Sequence, residues 1–163
     1  MISVDEAVNF MIERHGDQKR KQGTPYYTHP LAVSKLLKKK GFNESYQIAG
    51  LFHDLIEDTE TTYDEILNLT NFEIATAVRL VTKEPGYVMS TYMDRISKNH
   101  MAKMVKLADR IHNVSELVDT NIEFVNRYLD ETESYLVPLS EGTQFEKDLK
   151  DEILKVKQTF NLL

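Results

Sequence analysis

Between Gly50 and Thr59 the chain reads Gly-Leu-Phe-His-Asp-Leu-Ile-Glu-Asp-Thr, so the pair His53-Asp54 is followed at once by the pair Glu57-Asp58. On a helix His53 and Glu57 share a face, as do Asp54 and Asp58, because residues one turn apart are neighbours. Leu51, Phe52, Leu55 and Ile56 then form the apolar side. One imidazole and three carboxylates beside a buried helix are costly unless they are paired or coordinate a metal. Two more candidate ligands lie far away in sequence: His29, ahead of Pro30, and Asp109, within Lys106-Leu-Ala-Asp-Arg-Ile-His-Asn113. Two neutral imidazoles and two carboxylates suit a borderline-to-hard divalent ion such as Mn²⁺, Fe²⁺ or Zn²⁺. Such an ion polarises a phosphoryl oxygen and lowers the pKa of bound water. Glu57, one turn beyond His53, can approach the ion without ligating it. Taken singly, each residue has a plainer reading: His29 as a cap or surface residue, His53 as a satisfied core histidine, Asp109 as a partner of Lys106 or Arg110. Their joint presence favours the metal site.

The elements that must position these residues are helices. Val4, Ala7, Val8, Met11 and Ile12 have helical spacing over residues 2–15, and Gly16 ends that helix. Residues 16–29 read as a loop with two glycines and a proline, basic in its middle. Thr28-His29-Pro30 opens the next helix, which Gly41 stops. A third helix is predicted from about Asn43 through the His-Asp stretch. Thr62 and Glu65 form a capping-box pattern, and Asn71 is placed to cap the helix that Glu84-Pro85-Gly86 breaks. Two helical patterns follow over 88–98 and 101–118, then one over 121–136 that ends before Pro138. Thr143 and Glu146 suggest a second capping box, opening a last helix to about Phe160. No strand, internal repeat or low-complexity tract is apparent. The expectation is an all-α domain with short connections and one core.

The chain has 163 residues, which fits one domain. It has no cysteine, which excludes disulfides and thiolate ligands. A formal net charge of −6 argues against a nucleic-acid duplex as partner, since phosphate contacts need a basic surface. A small anion responds instead to local charge, which clusters at Lys19-Arg20-Lys21, at Lys35 with Lys38-Lys39-Lys40, and at Lys103, Lys106 and Arg110. No apolar run approaches a membrane span, and the first residues lack the pattern of a signal peptide. The expected compartment is the cytoplasm.

Four segments carry a resemblance: His15-Gly-Asp-Gln18, Arg20 through Pro30, Phe52 through Thr59, and Lys106 through Asn113. In this order and spacing they resemble the hydrolase domain of the RelA/SpoT alarmone enzymes, and more closely the stand-alone small alarmone hydrolases of the HD-domain metal-dependent phosphohydrolase superfamily. Val81-Thr-Lys83 fits the segment between the last two motifs. The resemblance covers about residues 1–137. It implies an HD-type helical bundle; one domain is expected over 1–163, with 138–163 as a C-terminal helical extension, and Gly142–Leu163, outside the resemblance, reads as a packing helix or a homo-oligomer contact. There is no room for a synthetase domain, so the form resembled is hydrolase-only.

The resemblance implies His29, His53, Asp54 and Asp109 as ligands, usually of Mn²⁺, and Glu57 and Asp58 as the acidic pair that activates or positions the attacking water. It implies Arg20 packing on a guanine base, Lys21 at a neighbouring phosphate-side or site-shaping position, and Asn113 as a ribose contact. His15, Gln18 and Tyr26 match positions that shape the loop. His100 and His112 are not expected as ligands, with His112 pointing elsewhere on its helix. The implied activity is (p)ppGpp 3′-pyrophosphohydrolysis on a small guanine nucleotide. The stretch from Met89 to Lys103 departs from the long bifunctional enzymes, which keeps open a phosphohydrolase for another nucleotide or phosphate ester. A third reading is an inactive nucleotide-binding module, against which every expected metal and acidic position is filled.

Overall fold

The computed structural model describes residues 1–163, and its regular elements are all helical. Ser3 and Glu6 form the capping box that starts α1 (Val4–His15), which Gly16 ends. The loop that follows folds back on itself, with an isolated bridge between Lys19 and Pro25 and a turn at Gly23 in the left-handed region, φ 92°. Next come α2 (Thr28–Lys39), stopped at Gly41, and α3 (Glu44–Phe52), capped by Asn43.

The predicted third helix does not run on through the His-Asp stretch. His53 Nδ1–H donates to the Gly50 carbonyl at 2.7 Å, the oxygen a continuing helix would offer to the Asp54 amide. The chain turns at His53-Asp54 and resumes as the short α4 (Leu55–Asp58).

Then follow α5 (Tyr63–Leu69), with its Thr62–Glu65 capping box, α6 (Phe72–Val81), capped by Asn71, and α7 (Met89–Ser97). Asn99 caps the 16-residue α8 (His100–Ser115), which packs against α2, α3, α6, α7 and α11 (Glu146–Thr159). α8 is the central helix, and its middle buries Lys106, Asp109 and Arg110 among apolar neighbours. Leu149, Ile153 and Val156 of α11 complete the same core.

Two further expectations differ. The helical run that α9 (Ile122–Glu131) begins does not stop before Pro138. Thr132 Oγ1 donates to the Tyr128 carbonyl, the ladder widens into a π-helical segment over Thr132–Leu136, and Pro138 lies in the first turn of α10 (Val137–Ser140), where a missing N–H costs little. The Thr143–Glu146 capping box does not form either. Thr143 Oγ1 donates to the Ser140 carbonyl at 2.7 Å, and no side chain caps α11 at Phe145.

Gly50 sets how closely α3 approaches α2. A Cβ there would meet Leu37 Cδ1 at 2.7 Å and Val33 Cγ1 at 3.3 Å, both in the closed core. Gly50→Ala gains roughly 1 kcal/mol of helix propensity, but overpacking costs about 1–3 kcal/mol. The variant is expected to be net destabilised by about 1 kcal/mol in urea unfolding. A stability equal to or above wild type would show that the two helices can separate freely.

Candidate metal centre and nucleotide cleft

The helix α2 delivers His29, the turn after α3 delivers His53 and Asp54, and α8 delivers Asp109. His29 Nε2 lies 2.8 Å from Asp109 Oδ1 and 3.7 Å from Asp54 Oδ2. His53 Nε2 lies 3.0 Å from Asp54 Oδ2 and 3.4 Å from Asp109 Oδ1. The four predicted ligands, separated by 80 residues of sequence, therefore converge on one point.

The donor chemistry fits a divalent cation. His53 donates through Nδ1 to Gly50, which leaves the Nε2 lone pair facing the cluster. That buried nitrogen, though close to both carboxylates, is not aligned as a hydrogen bond with either. Burial opposes a proton on His53, yet Asp54 and Asp109 hold it well above the usual imidazole range. Burial also opposes charge on Asp54, and His53 overcomes it to hold that carboxyl below its ordinary value. The site thus calls for positive charge at its centre, which a bound cation supplies better than a proton.

Side chains around the ligands hold them in place. Tyr26 O–H donates to Asp54 Oδ2 at 2.6 Å, tying the loop to the metal site. Gln18 is fixed to the same region, its Oε1 accepting from His15 Nδ1–H at 3.0 Å and its Nε2 donating to the Asp58 carbonyl at 2.8 Å. Lys106 Nζ lies 3.0 Å from Asp109 Oδ2, both buried, so the plainer reading of Asp109 as an ion-pair partner is also realised. Burial disfavours the Lys106 charge, but Asp109 raises its pKa overall.

Glu57 and Asp58 separate. Glu57 lines a cavity of about 190 Å³ together with His29, His53, Asp54 and Asp109, and its Oε1 accepts from the Lys83 amide at 2.7 Å. Asp58 stands at the outer rim, lining a different cleft with Glu13 and Arg14. Its carboxylate still approaches those of Asp54 and Glu57. Desolvation, then the charges of Asp54 and Glu57, push Asp58 up to about 6.

A second cavity of about 270 Å³ is lined by Arg20, Lys21, Gln22, Phe124 and Thr120, and it shares Tyr26, Asn113 and Tyr128 with the metal cavity. Arg20 is not free there. Its Nε and Nη2 donate to Glu116 Oε2 at 3.1 and 2.8 Å, and Nη2 also donates to Asn113 Oδ1 at 2.8 Å. Asn113 Nδ2 in turn donates to Asp109 Oδ1 at 3.0 Å. Lys21 Nζ sits 3.4 Å from the Phe124 ring centroid, a cation–π contact.

His112 is not in the ligand cluster, but it does not point away. It stacks on His29 at 5.0 Å between ring centroids, with the two Nδ1 atoms 2.7 Å apart. Burial and then the neighbouring His29 push its pKa down to about 4, so the ring is neutral. Lys83, Lys106 and Arg110 form a cationic wall of the metal cavity. Sequence reasoning missed Lys83, His112 and Glu116 as parts of the site. The available signals were the fit of Val81-Thr-Lys83 between two motifs, for Lys83, and the one-turn spacing of His112 and Glu116 beyond Asp109.

Residues 7–141 match the family described as HD domain. A probable guanosine-3′,5′-bis(diphosphate) 3′-pyrophosphohydrolase of Synechocystis sp. is 36% identical over 142 residues, which is 80% of this chain and 19% of that protein. The guanosine-3′,5′-bis(diphosphate) 3′-pyrophosphohydrolase MESH1 of Danio rerio is 34% identical over 121 residues, 69% of this chain and 67% of that one. The chain thus spans only a small part of the long relative and about two thirds of the short one. A solved structure described as a metazoan ortholog of SpoT that hydrolyzes ppGpp superimposes with a TM-score of 0.81 at 24% identity, covering 98% of this chain and 96% of that one. That likeness establishes the fold.

Removing the cation beside Asp109 separates its two roles. Lys106→Met leaves a buried carboxylate short of a partner, a loss of about 3–5 kcal/mol in the metal-free protein. Added Mn²⁺ is expected to raise the melting temperature of this variant more than that of wild type, because the ion replaces the missing charge. Equal stability and equal Mn²⁺ shifts in the two proteins would show that Lys106 does not compensate the site.

Proposed function

Because the chain belongs to the HD-domain family, we propose that it is a Mn²⁺-dependent hydrolase that removes the 3′-diphosphate of (p)ppGpp, giving GDP or GTP and pyrophosphate. The observation that carries this reading is the junction of two cavities. The metal cluster lies in one, the loop with Arg20 and Lys21 borders the other, and Tyr26, Asn113 and Tyr128 line both. Relatives bearing the same activity in their names support the substrate. In this account His29, His53, Asp54 and Asp109 hold the ion.

A divalent cation bound there polarises a phosphoryl oxygen and lowers the pKa of water. Glu57, facing the cavity and held by the Lys83 amide, accepts the proton of the attacking water. Asp58, at the rim, positions the water's approach and keeps negative charge next to Glu57. Lys83, Lys106 and Arg110 face the diphosphate and offset its charge. The 3′-oxygen leaves with the nucleoside 5′-diphosphate, and pyrophosphate departs with the water's oxygen. Arg20 and Lys21 border the base, and an Arg guanidinium stacks on a purine face. Asn113 lies at the ribose, between base and metal. Residues 1–163 act as one hydrolase unit, with 138–163 as an extension whose α11 packs into the core against α8. A cysteine-free chain of net charge −6 acting on a free nucleotide belongs in the cytoplasm, without nucleic acid.

Purified protein with Mn²⁺ and ppGpp is expected to release pyrophosphate and GDP in equal amounts, and chelation should abolish the release. Glu57→Gln should lower kcat by about 10²–10⁴-fold while Mn²⁺ binding persists. Orthophosphate instead of pyrophosphate, or equal turnover of guanine and adenine compounds, would move the substrate to another phosphate ester. Full kcat in Glu57→Gln would remove Glu57 from the proton transfer.

A further inference from the structure

The second cavity, proposed above for the nucleoside, carries a carboxylate in its lining, Glu116. Beside a polyanionic ligand that is unfavourable, because like charges across an interface repel. What the carboxylate holds gives the reason. Glu116 Oε2 accepts from Arg20 Nε at 3.1 Å, from Arg20 Nη2 at 2.8 Å, and from Gln22 Nε2. Glu116 itself is anchored at the C-terminal end of α8, where its amide donates to the His112 and Asn113 carbonyls at 3.3 and 3.2 Å. Arg20 and Gln22 belong to the turn after α1 that the Gly23 amide closes on the Arg20 carbonyl at 2.9 Å. The end of the central helix thus ties down the turn that edges the cleft.

The bonds also decide what Arg20 can offer a ligand. A guanidinium grips a phosphate bidentately through Nε with Nη2 or through Nη2 with Nη1. Both grips need Nη2, and Nη2 is spent twice, on Glu116 and on Asn113 Oδ1 at 2.8 Å. The carboxylate also offsets the charge that would draw Arg20 toward phosphate. Three hydrogen bonds to two acceptors fix the plane of the group, and its flat face is what remains for stacking on a base. The Tyr26 ring, its centroid 5.5 Å from Arg20 Cζ, borders the same group. Lys21 differs. Its ammonium rests on the Phe124 ring, 3.4 Å from the centroid, and not on a carboxylate. A cation on such a partly exposed ring is held weakly, so it is free to move to a phosphate.

Building on the nucleotide reading of this cleft, we propose that Glu116 is a positioning residue. It holds Arg20 as a flat, charge-offset platform for the purine and keeps it off the phosphates, which fall to Lys21. A guanidinium fixed before binding avoids the ordering that a free arginine must undergo on stacking.

The test is GDP binding by calorimetry with Mn²⁺ present, together with steady-state turnover of ppGpp, with folding checked by circular dichroism. Glu116→Met, similar in length but without an acceptor, is expected to weaken GDP binding about 10-fold. KM for ppGpp should rise in step, with kcat within about twofold of wild type, as loss of uniform binding requires. Glu116→Gln keeps an acceptor oxygen for Arg20 and should stay within about threefold of wild type. Arg20→Ala should lose about as much as Glu116→Met and make an added Glu116→Met silent. Unchanged GDP affinity in folded Glu116→Met would overturn the proposal, as would equal losses in the Gln and Met variants. An undiminished loss from Glu116→Met in the Arg20→Ala background would overturn it too. So would a fall in kcat at constant KM, which would place Glu116 in the chemistry.

Should Glu116→Met fail to fold, nuclear magnetic resonance of the wild-type protein decides. The Arg20 Nε–H signal, identified by its absence in Arg20→Lys, is expected to stay protected from exchange with and without GDP. Protection lost on adding GDP would show Arg20 leaving Glu116 for the nucleotide and would overturn the proposal. A protein that binds GDP with these coupled losses but leaves ppGpp intact would overturn the substrate and keep the platform. One that binds no nucleotide would overturn the reading of the cleft, and the platform with it.

Discussion

The structure depends on how one buried carboxylate is satisfied. Asp109 sits in the middle of the central helix with little access to water. An uncompensated charge there would cost several kcal/mol. Its two oxygens are instead shared among Lys106, His29, Asn113 and, at longer range, His53. Each of these partners comes from a place the fold must hold still: α2, the turn after α3, or another position on α8. The packing of α2 and α3 on α8 is what makes the pairing possible, and the pairing is what makes polar groups tolerable in that core.

The break after α3 follows from the same requirement. His53 takes the carbonyl of Gly50 with its Nδ1–H and so ends the helix that carries it. In return the ring is locked with Nε2 toward the cluster, and Asp54 is swung to face both histidines. A continuous helix would satisfy one more backbone bond and would leave the His53 tautomer open. Gly50, without a Cβ, lets α3 lie close enough to α2 for His29 and His53 to meet. The local irregularity and the close helix contact are two parts of one construction.

Much of this was legible in the sequence. The capping box at Thr62, the cap at Asn71 and the stops at Gly16 and Gly41 marked helix ends in the sequence, because capping is local chemistry. His29, His53, Asp54 and Asp109 stood out as donors without other obvious work. The differences arose where side chains compete for backbone carbonyls: His53 and Thr132 take ones that periodicity assigns to a helix ladder, and Thr143 turns back to the Ser140 carbonyl instead of capping the last helix. His112 and Glu116 were missed because a helical face is set by rotation about the axis, while their partners arrive from α2 and from the loop. Arg20 was expected against a base, and it is also the partner of Glu116, a pairing separated by 96 residues that no local pattern encodes.

Two groups of side chains could hold a cation: His29, His53 and Asp109, with Asp54 beside them, and the more open Asp54, Glu57 and Asp58. The proposed ion belongs in the first, where two imidazoles join the carboxylates as donors, whereas the second offers only carboxylates. Anomalous diffraction at the manganese edge from crystals grown with Mn²⁺ tests this most directly. The expected result is one strong peak among His29 Nε2, His53 Nε2, Asp54 and Asp109, with Glu57 outside bonding distance. A peak held by Glu57 and Asp58, or none in the histidine cluster, would contradict it.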